Sequence, residues 1–265
     1  MDYSKANKEA WEQACAIHKQ GYREDPALRL QRGDLSILED DVRAVLAEIG
    51  LEGKDVAQFC CNNGRELLTL LNMGAARGTG FDISENFIAE GRRLANQAGL
   101  DGDFVATDIY DIDAAYAGCF DLLLVTIGAL CWFEDLERFF ARAALVLKDG
   151  GTLLINEQHP YTNMLAMANE DGYDAERPDQ VVFSYFKDDP WVDSDGVDYV
   201  GGTTYKSKTM YSFSHSFGAI FNAMAQNGLT VKTLREFDYD ISTSWPHIDR
   251  GGMPLSYVLV AEKTS

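Results

Sequence analysis

Residues 56–82, VAQFCCNNGRELLTLLNMGAARGTGFD, restrict the fold more than any other part of the chain. A short apolar run from Val56 to Cys61 meets Asn62-Asn63-Gly64. In the next segment Leu67, Leu68 and Leu71 fall on one side, the spacing of an amphipathic helix. A second strand-like run then ends on Asp82. Strand, tight turn, helix, strand and a terminal acid open an α/β nucleotide-binding unit.

The same rhythm continues. Ser36 to Glu39 reads as a capping box ahead of a helix ending near Gly50. Helices are predicted over 65–73, over 85–98 behind Ser84 and ahead of Gly99, and over 136–147. Strands are predicted at 77–81, 104–107, 120–127 and 152–156. Residues 120–127 are almost wholly apolar, as in a central parallel strand covered on both faces. A helix at 217–226 and strands at 229–237 and 255–261 finish the pattern, with one antiparallel edge strand expected. Two segments stand outside it. Residues 1–34 hold a helix with Trp11, Ala14, Cys15 and His18 on one side, read either as ordinary packing or as a flap over a ligand. Residues 160–212 contain no strand–helix unit and read as a lid insertion capping the sheet edge, within an α/β domain spanning 35–265.

With 42 acidic and 23 basic residues the formal charge is −19, and no basic run offsets it, so no nucleic-acid partner is expected. The odd set of five cysteines, mostly inside apolar runs, suits a reduced, cytoplasmic protein. Neither a cleavable leader nor a membrane-length apolar run is present.

In an open parallel sheet, ligands bind where the carboxyl ends of the strands diverge. Four such ends matter here: Cys61 to Gly64, Asp82, Asp108, and Ile127-Gly128. Gly64 lets a ligand approach the backbone ahead of a helix N-terminus. Asp82 is placed to accept both ribose hydroxyls. Asp108, one strand on, is placed for an adenine amino group, with Ile83 and Ile109 sandwiching the ring. A phosphate-loop lysine and three-glycine spacing are both missing, which favours a nucleoside without phosphates. Taken singly, each Asp is more often a cap.

On these residues the chain resembles the class I S-adenosylmethionine-dependent methyltransferases of the small-molecule type. The first motif of that family, near D-L-G-C-G-x-G, stands here as Gln58-Phe59-Cys60-Cys61-Asn62-Asn63-Gly64. Gln58 replaces the usual acid, and Cys61 and Asn63 stand at positions often glycine or small. Residues 80–95, GFDISENFIAEGRRLA, match the second motif. Ala106 to Ile109 resembles the adenine-recognition motif, and 120–140 and 145–155 resemble the fourth and fifth. The resemblance implies a seven-stranded sheet of order 3-2-1-4-5-7-6 with strand 7 antiparallel. It also implies S-adenosylmethionine as cofactor, held by Phe59, Cys60, Cys61, Asn63, Gly64, Asp82, Ile83, Asp108, Ile109 and Ile127.

Methyl transfer from a sulfonium needs alignment, plus a base if the nucleophile arrives protonated. Candidates for base or substrate orienter are His159 first, then Glu157, with Tyr22 closing from the flap. The histidines at 18, 159, 215 and 247 lack ligand spacing, so no metal is expected. The insertion is rich in aromatics and acids, which suits a small neutral or amine-bearing acceptor methylated on nitrogen or oxygen. Two other readings stay open: an enzyme that consumes the cofactor and releases methylthioadenosine, and a non-catalytic binding protein. The oligomeric expectation is monomer or homodimer.

Overall fold

The computed structural model of the chain describes residues 2–168 and 170–264. Three helices come first: α1 (Tyr3–Gly21), α2 (Pro26–Gln31) and α3 (Asp40–Ile49). The α/β units follow as β1 (Asp55–Phe59), α4 (Arg65–Asn72), β2 (Arg77–Asp82), α5 (Glu85–Ala98), β3 (Gly102–Ala106), β4 (Phe120–Val125), α6 (Leu136–Val146) and β5 (Leu147–Gln158). Two short strands, β6 (Trp191–Asp193) and β7 (Met210–Ser212), precede α7 (Phe217–Gln226), β8 (Leu229–Phe237) and β9 (Ser256–Lys263).

Seven strands form one sheet in the order β3-β2-β1-β4-β5-β9-β8. Strands β1 to β5 are parallel, and β9 runs antiparallel to both β5 and β8. The antiparallel strand is therefore interior, and the edge expected for it is occupied by β8. Because side chains alternate across a strand, the sheet splits into two apolar sets. Val56, Leu122, Leu124 and Leu154 meet α3, α4 and α5 through Val45, Leu67 and Leu94. Ala57, Phe59, Leu123, Val125 and Ile155 meet α6 and α7 through Phe139, Phe140 and Met224. Each fully buried Leu or Phe contributes ~1.5–3 kcal/mol of apolar transfer.

Two expectations need correction. Ser36 does not cap a helix: its N–H and hydroxyl both donate to Asp34 Oδ1, and α3 starts only at Asp40, after a cap residue with no side-chain bond. The carboxylates of Asp40 and Asp41 in its first turn complement the helix dipole instead. The insertion, in turn, only partly follows the sheet edge: Leu165 packs with Trp245, Ile248 and Leu255 at the connection from β8 to β9, while the later part lies against α1 and the loop after β4. Strands β6 and β7 form an antiparallel ribbon, and the Phe213 N–H donates to the Cys131 carbonyl at 2.7 Å.

Candidate active site

The turn after β1 is left-handed at three of five residues: φ is 51° at Cys60, 52° at Asn62 and 72° at Gly64. A side chain in that region costs about 1–2 kcal/mol, less for Asn. Four hydrogen bonds hold the turn against this cost. Cys61 N–H donates to the Phe81 carbonyl at 3.0 Å and Gly64 N–H to the Cys61 carbonyl at 2.8 Å. Asn62 N–H donates to Asp82 Oδ2, and Asn63 N–H to Asn62 Oδ1, both at 2.8 Å. At Gly64 no substitute fits, since a Cβ would lie 2.2 Å from the Phe104 ring. The conformational demand thus falls on Cys60, Asn62 and Gly64, not on the Cys61 and Asn63 singled out from the sequence. Cys61 is buried against Gly80, and Asn63 Nδ2 donates to the Tyr22 hydroxyl at 3.0 Å. The Phe59 side chain is wholly buried between Phe81 and Phe139.

Gln58, where the resemblance implies an acid, is fully buried with both ends of its amide hydrogen-bonded. Its Nε2 donates to Glu66 Oε2 at 3.0 Å and to Thr126 Oγ1 at 3.1 Å, while its Oε1 accepts the Leu67 N–H at 3.1 Å. One neutral side chain thereby ties β1, the end of β4 and the first turn of α4 together. The carboxylate absent at position 58 stands at Glu66. Neither Glu66 nor Thr126 was legible as part of the site; an acid in a first helical turn is too common to signal it.

Asp82 accepts the Asn62 N–H on one oxygen and the Ser84 N–H, at 2.9 Å, on the other. Each oxygen keeps a second lone pair. Burial pushes this carboxyl up to about 6 against the pull of the two N–H donors. Asp108 Oδ1 caps a short 3-10 turn through the Tyr110 N–H at 2.9 Å, leaving its second oxygen outside that bond. Ile83 and Ile127 are half-buried, whereas Ile109 lies in the core against the α6 side of the sheet. Burial raises the thiols of Cys60, Cys61 and Cys131 well above their ordinary range, so they stay protonated at neutral pH.

The three catalytic candidates all have hydrogen-bond partners within the protein. Glu157 Oε1 accepts the N–H groups of Ala129 and Leu130 at 2.7 and 3.0 Å, and its Oε2 accepts that of Gln158 at 2.8 Å. It fixes the loop after β4. His159 has both ring nitrogens occupied. Nδ1 accepts the Tyr161 N–H at 3.0 Å, so the proton sits on Nε2 and donates to Glu236 at 2.8 Å. No lone pair remains for a substrate. Burial raises the Tyr22 phenol, which is neutral at pH 7 and joins the N-terminal segment to Asn63, with the Arg65 guanidinium 5.0 Å from its ring centre. His215 likewise holds the loop after β4, through the Phe133 carbonyl at 2.8 Å.

A roof covers the strand ends. Trp11 of α1 stands edge-on to Trp132 at 5.4 Å and to Phe87 at 6.1 Å. Glu12 caps α5, accepting the N–H groups of Glu85 and Asn86. Asn7, buried in α1, behaves like a strand neighbour: its amide accepts the Tyr211 N–H at 2.8 Å and donates to the Tyr211 carbonyl at 2.9 Å. His18 Nε2 donates to the Val197 carbonyl at 2.7 Å, with Tyr199 against its ring. Among the described residues no group of three or more His, Cys, Asp or Glu side chains is gathered for a metal ion, and no helix is long and apolar enough to cross a membrane.

Residues 56–151, from β1 into β5, match the family model described as Methyltransferase domain. Over those residues the chain is similar to a methyltransferase domain, and its fold is the one that such domains take. Solved structures with this fold include a S-adenosylmethionine-dependent methyltransferase from Listeria monocytogenes, 15% identical, with a TM-score of 0.60 over 84% of this chain and 96% of that one. Magnesium protoporphyrin IX methyltransferase from Synechocystis PCC 6803 is 15% identical, with a TM-score of 0.61 over 99% and 100%. Geranyl diphosphate C-methyltransferase from Streptomyces coelicolor A3(2) is 13% identical, with a TM-score of 0.62 over 100% and 98%. No curated protein sequence matches the chain.

Proposed function

We propose that this protein transfers the methyl group of S-adenosylmethionine to a nitrogen or oxygen of a small molecule. The observation that carries the reading is the turn after β1. Its left-handed residues bring the backbone of 60–64 against Asp82, whose remaining lone pairs are available to two ribose hydroxyls. Bound there, the cofactor supplies a methyl group already activated by its sulfonium. Asp108 is the residue for the adenine amino group, with Ile83 beside it. The turn from Cys60 to Gly64 and the loop from Ile127, held by Glu157, bound the methionine end. Three neighbours of this fold carry methyltransferase names, and two of those act on small molecules, which supports a small acceptor.

His159 and Glu157 serve here as positioning residues, so rate enhancement rests on alignment under the Trp11–Trp132 roof. Such a site suits a nucleophile that arrives without a proton to lose. The test is mass spectrometry of the purified protein with S-adenosylmethionine, alone and with a metabolite extract. Extract-dependent S-adenosylhomocysteine with a product heavier by one CH₂ unit is expected. Methylthioadenosine formed without extract would replace methyl transfer by chemistry on the cofactor. Tight binding without turnover in any extract would leave a binding protein.

A further inference from the structure

Beside the turn after β1 lies a cavity of about 380 Å³, between the segment joining α1 to α3 and the start of α4. Its lining includes four arginines, Arg23, Arg29, Arg32 and Arg65, against two carboxylates, Glu24 and Asp34. In a chain of formal charge −19 this is a local excess of two positive charges. The distant acids do not cancel it, since charges beyond about 8 Å are largely screened at physiological salt.

The carboxylates act as orienters. Arg32 makes a forked pair with Glu24 at 2.6 and 2.8 Å. Arg29 donates to Asp34 at 2.8 Å through Nε and to the Ser36 hydroxyl at 2.8 Å through its terminal nitrogen. The neighbouring Asp25 is turned away, bound to Arg93. Arg23 and Arg65, by contrast, have no carboxylate within ion-pair distance among the described residues. The Nε of Arg65 is buried with no hydrogen-bond partner, an arrangement that costs free energy unless something fills it.

The position of the cavity gives it a role. Its inner wall is Tyr22 and Arg65, and Tyr22 bonds Asn63 of the turn. Its outer wall, with Arg23, Glu24 and Arg32, is exposed to solvent. We infer that this cavity receives an anionic group, a phosphate or carboxylate carried by the acceptor, and so orients the acceptor toward the transferred methyl. The acceptor is favoured over the cofactor's own carboxylate as the source of that anion. A surplus of two positive charges matches a phosphate, which carries about −1.5 to −2 at pH 7, better than a single carboxylate. The inference rests on the proposed methyl transfer for the nature of the partner, and it replaces the neutral or amine-bearing acceptor expected from sequence.

The test is calorimetric titration of inorganic pyrophosphate into the full chain in 0.15 M salt, with and without saturating S-adenosylhomocysteine. Pyrophosphate should bind in both arms. Arg23→Ala should weaken it about tenfold or more, the loss expected for one charge-assisted hydrogen bond, and Arg65→Gln should do the same. Arg23 is exposed, so its variant keeps the fold even if the Arg65 variant does not. Binding lost on saturation with S-adenosylhomocysteine would overturn the acceptor assignment and give the cavity to the cofactor's carboxylate. No pyrophosphate binding, or binding indifferent to both arginines, would overturn the site itself. Failure of S-adenosylhomocysteine to bind, read in its own titration, counts against the proposed methyl transfer and leaves the pyrophosphate result to decide the cavity.

Discussion

The turn at 60–64 and the ribbon of β6 and β7 both lie at the carboxyl ends of the strands, but they are held by different means. The turn is fixed by backbone amides donating to neighbouring strands, and by the Phe104 ring that permits only glycine at 64. Its shape is a property of the sheet. The ribbon is fixed by side chains of α1: Asn7 and Gln13 each pair an amide with ribbon backbone, and His18 holds Val197. Beside these three polar tethers a small apolar contact holds it, with Met210 and Phe213 buried and Tyr3 against Tyr211 and Phe213. The turn is therefore part of the sheet's own framework, whereas the ribbon is joined to it through α1 and the loop after β4.

The hardest test of the turn is Asp82→Ala. Losing a carboxylate proposed to accept two hydroxyls should weaken S-adenosylhomocysteine by roughly two to four orders of magnitude, at ~1.5–3 kcal/mol for each bond to a charged group. Calorimetry would show it, and an unchanged affinity would remove the turn from the ligand site. Gly64→Ala should cost ~2–4 kcal/mol in urea unfolding, combining overpacking against Phe104 with the left-handed penalty. Acidity offers a subtler handle, because Asp82 is raised to about 6 from an ordinary 3.8. Its ionised form weighs on the ligand-free fold above about pH 6, and that burden lifts as pH falls toward 3.8. Ligand affinity runs the other way: it should fall about tenfold from pH 7 to pH 5, as the carboxylate needed by the ribose is protonated.

On the tethered half, Asn7→Ala should leave unfolding of the sheet within ~1–2 kcal/mol of the parent while exposing residues 191–212 to limited proteolysis. An unchanged digestion pattern would show that the ribbon has other supports. Smallest of all, Asn62→Gly should change stability by no more than ~0.5 kcal/mol, since relief of the left-handed residue offsets the lost bond to Asn63.

The sheet was legible because its signals are local and repeated. Ser84 and Gly99 bracket α5 as expected, and β8 matches its expected range, 229–237. Asp82 and Asp108 were legible as strand-end acids. Side-chain roles were not, because they depend on partners far along the chain. His159 looks reactive until Glu236, 77 positions away, accepts its proton-bearing nitrogen. Glu157 is spent on the amides of 129 and 130, and Gln58 reads as a missing acid until Glu66 appears beside it. The arginine cavity was invisible for the same reason: Arg65 lies far in sequence from Arg23, Arg29 and Arg32, and no run of basic residues betrays them.

The interior place of β9 bears on how the molecule is assembled. Strand β8 reaches the sheet only through β9, which lies between it and β5. During synthesis, then, β1 to β5 can pair as they emerge, while β5 keeps a bare row of amides and carbonyls until the last strand arrives. For that interval the nascent chain presents an open template for pairing with other strands, a hazard that closes only when residues 256–263 slot in.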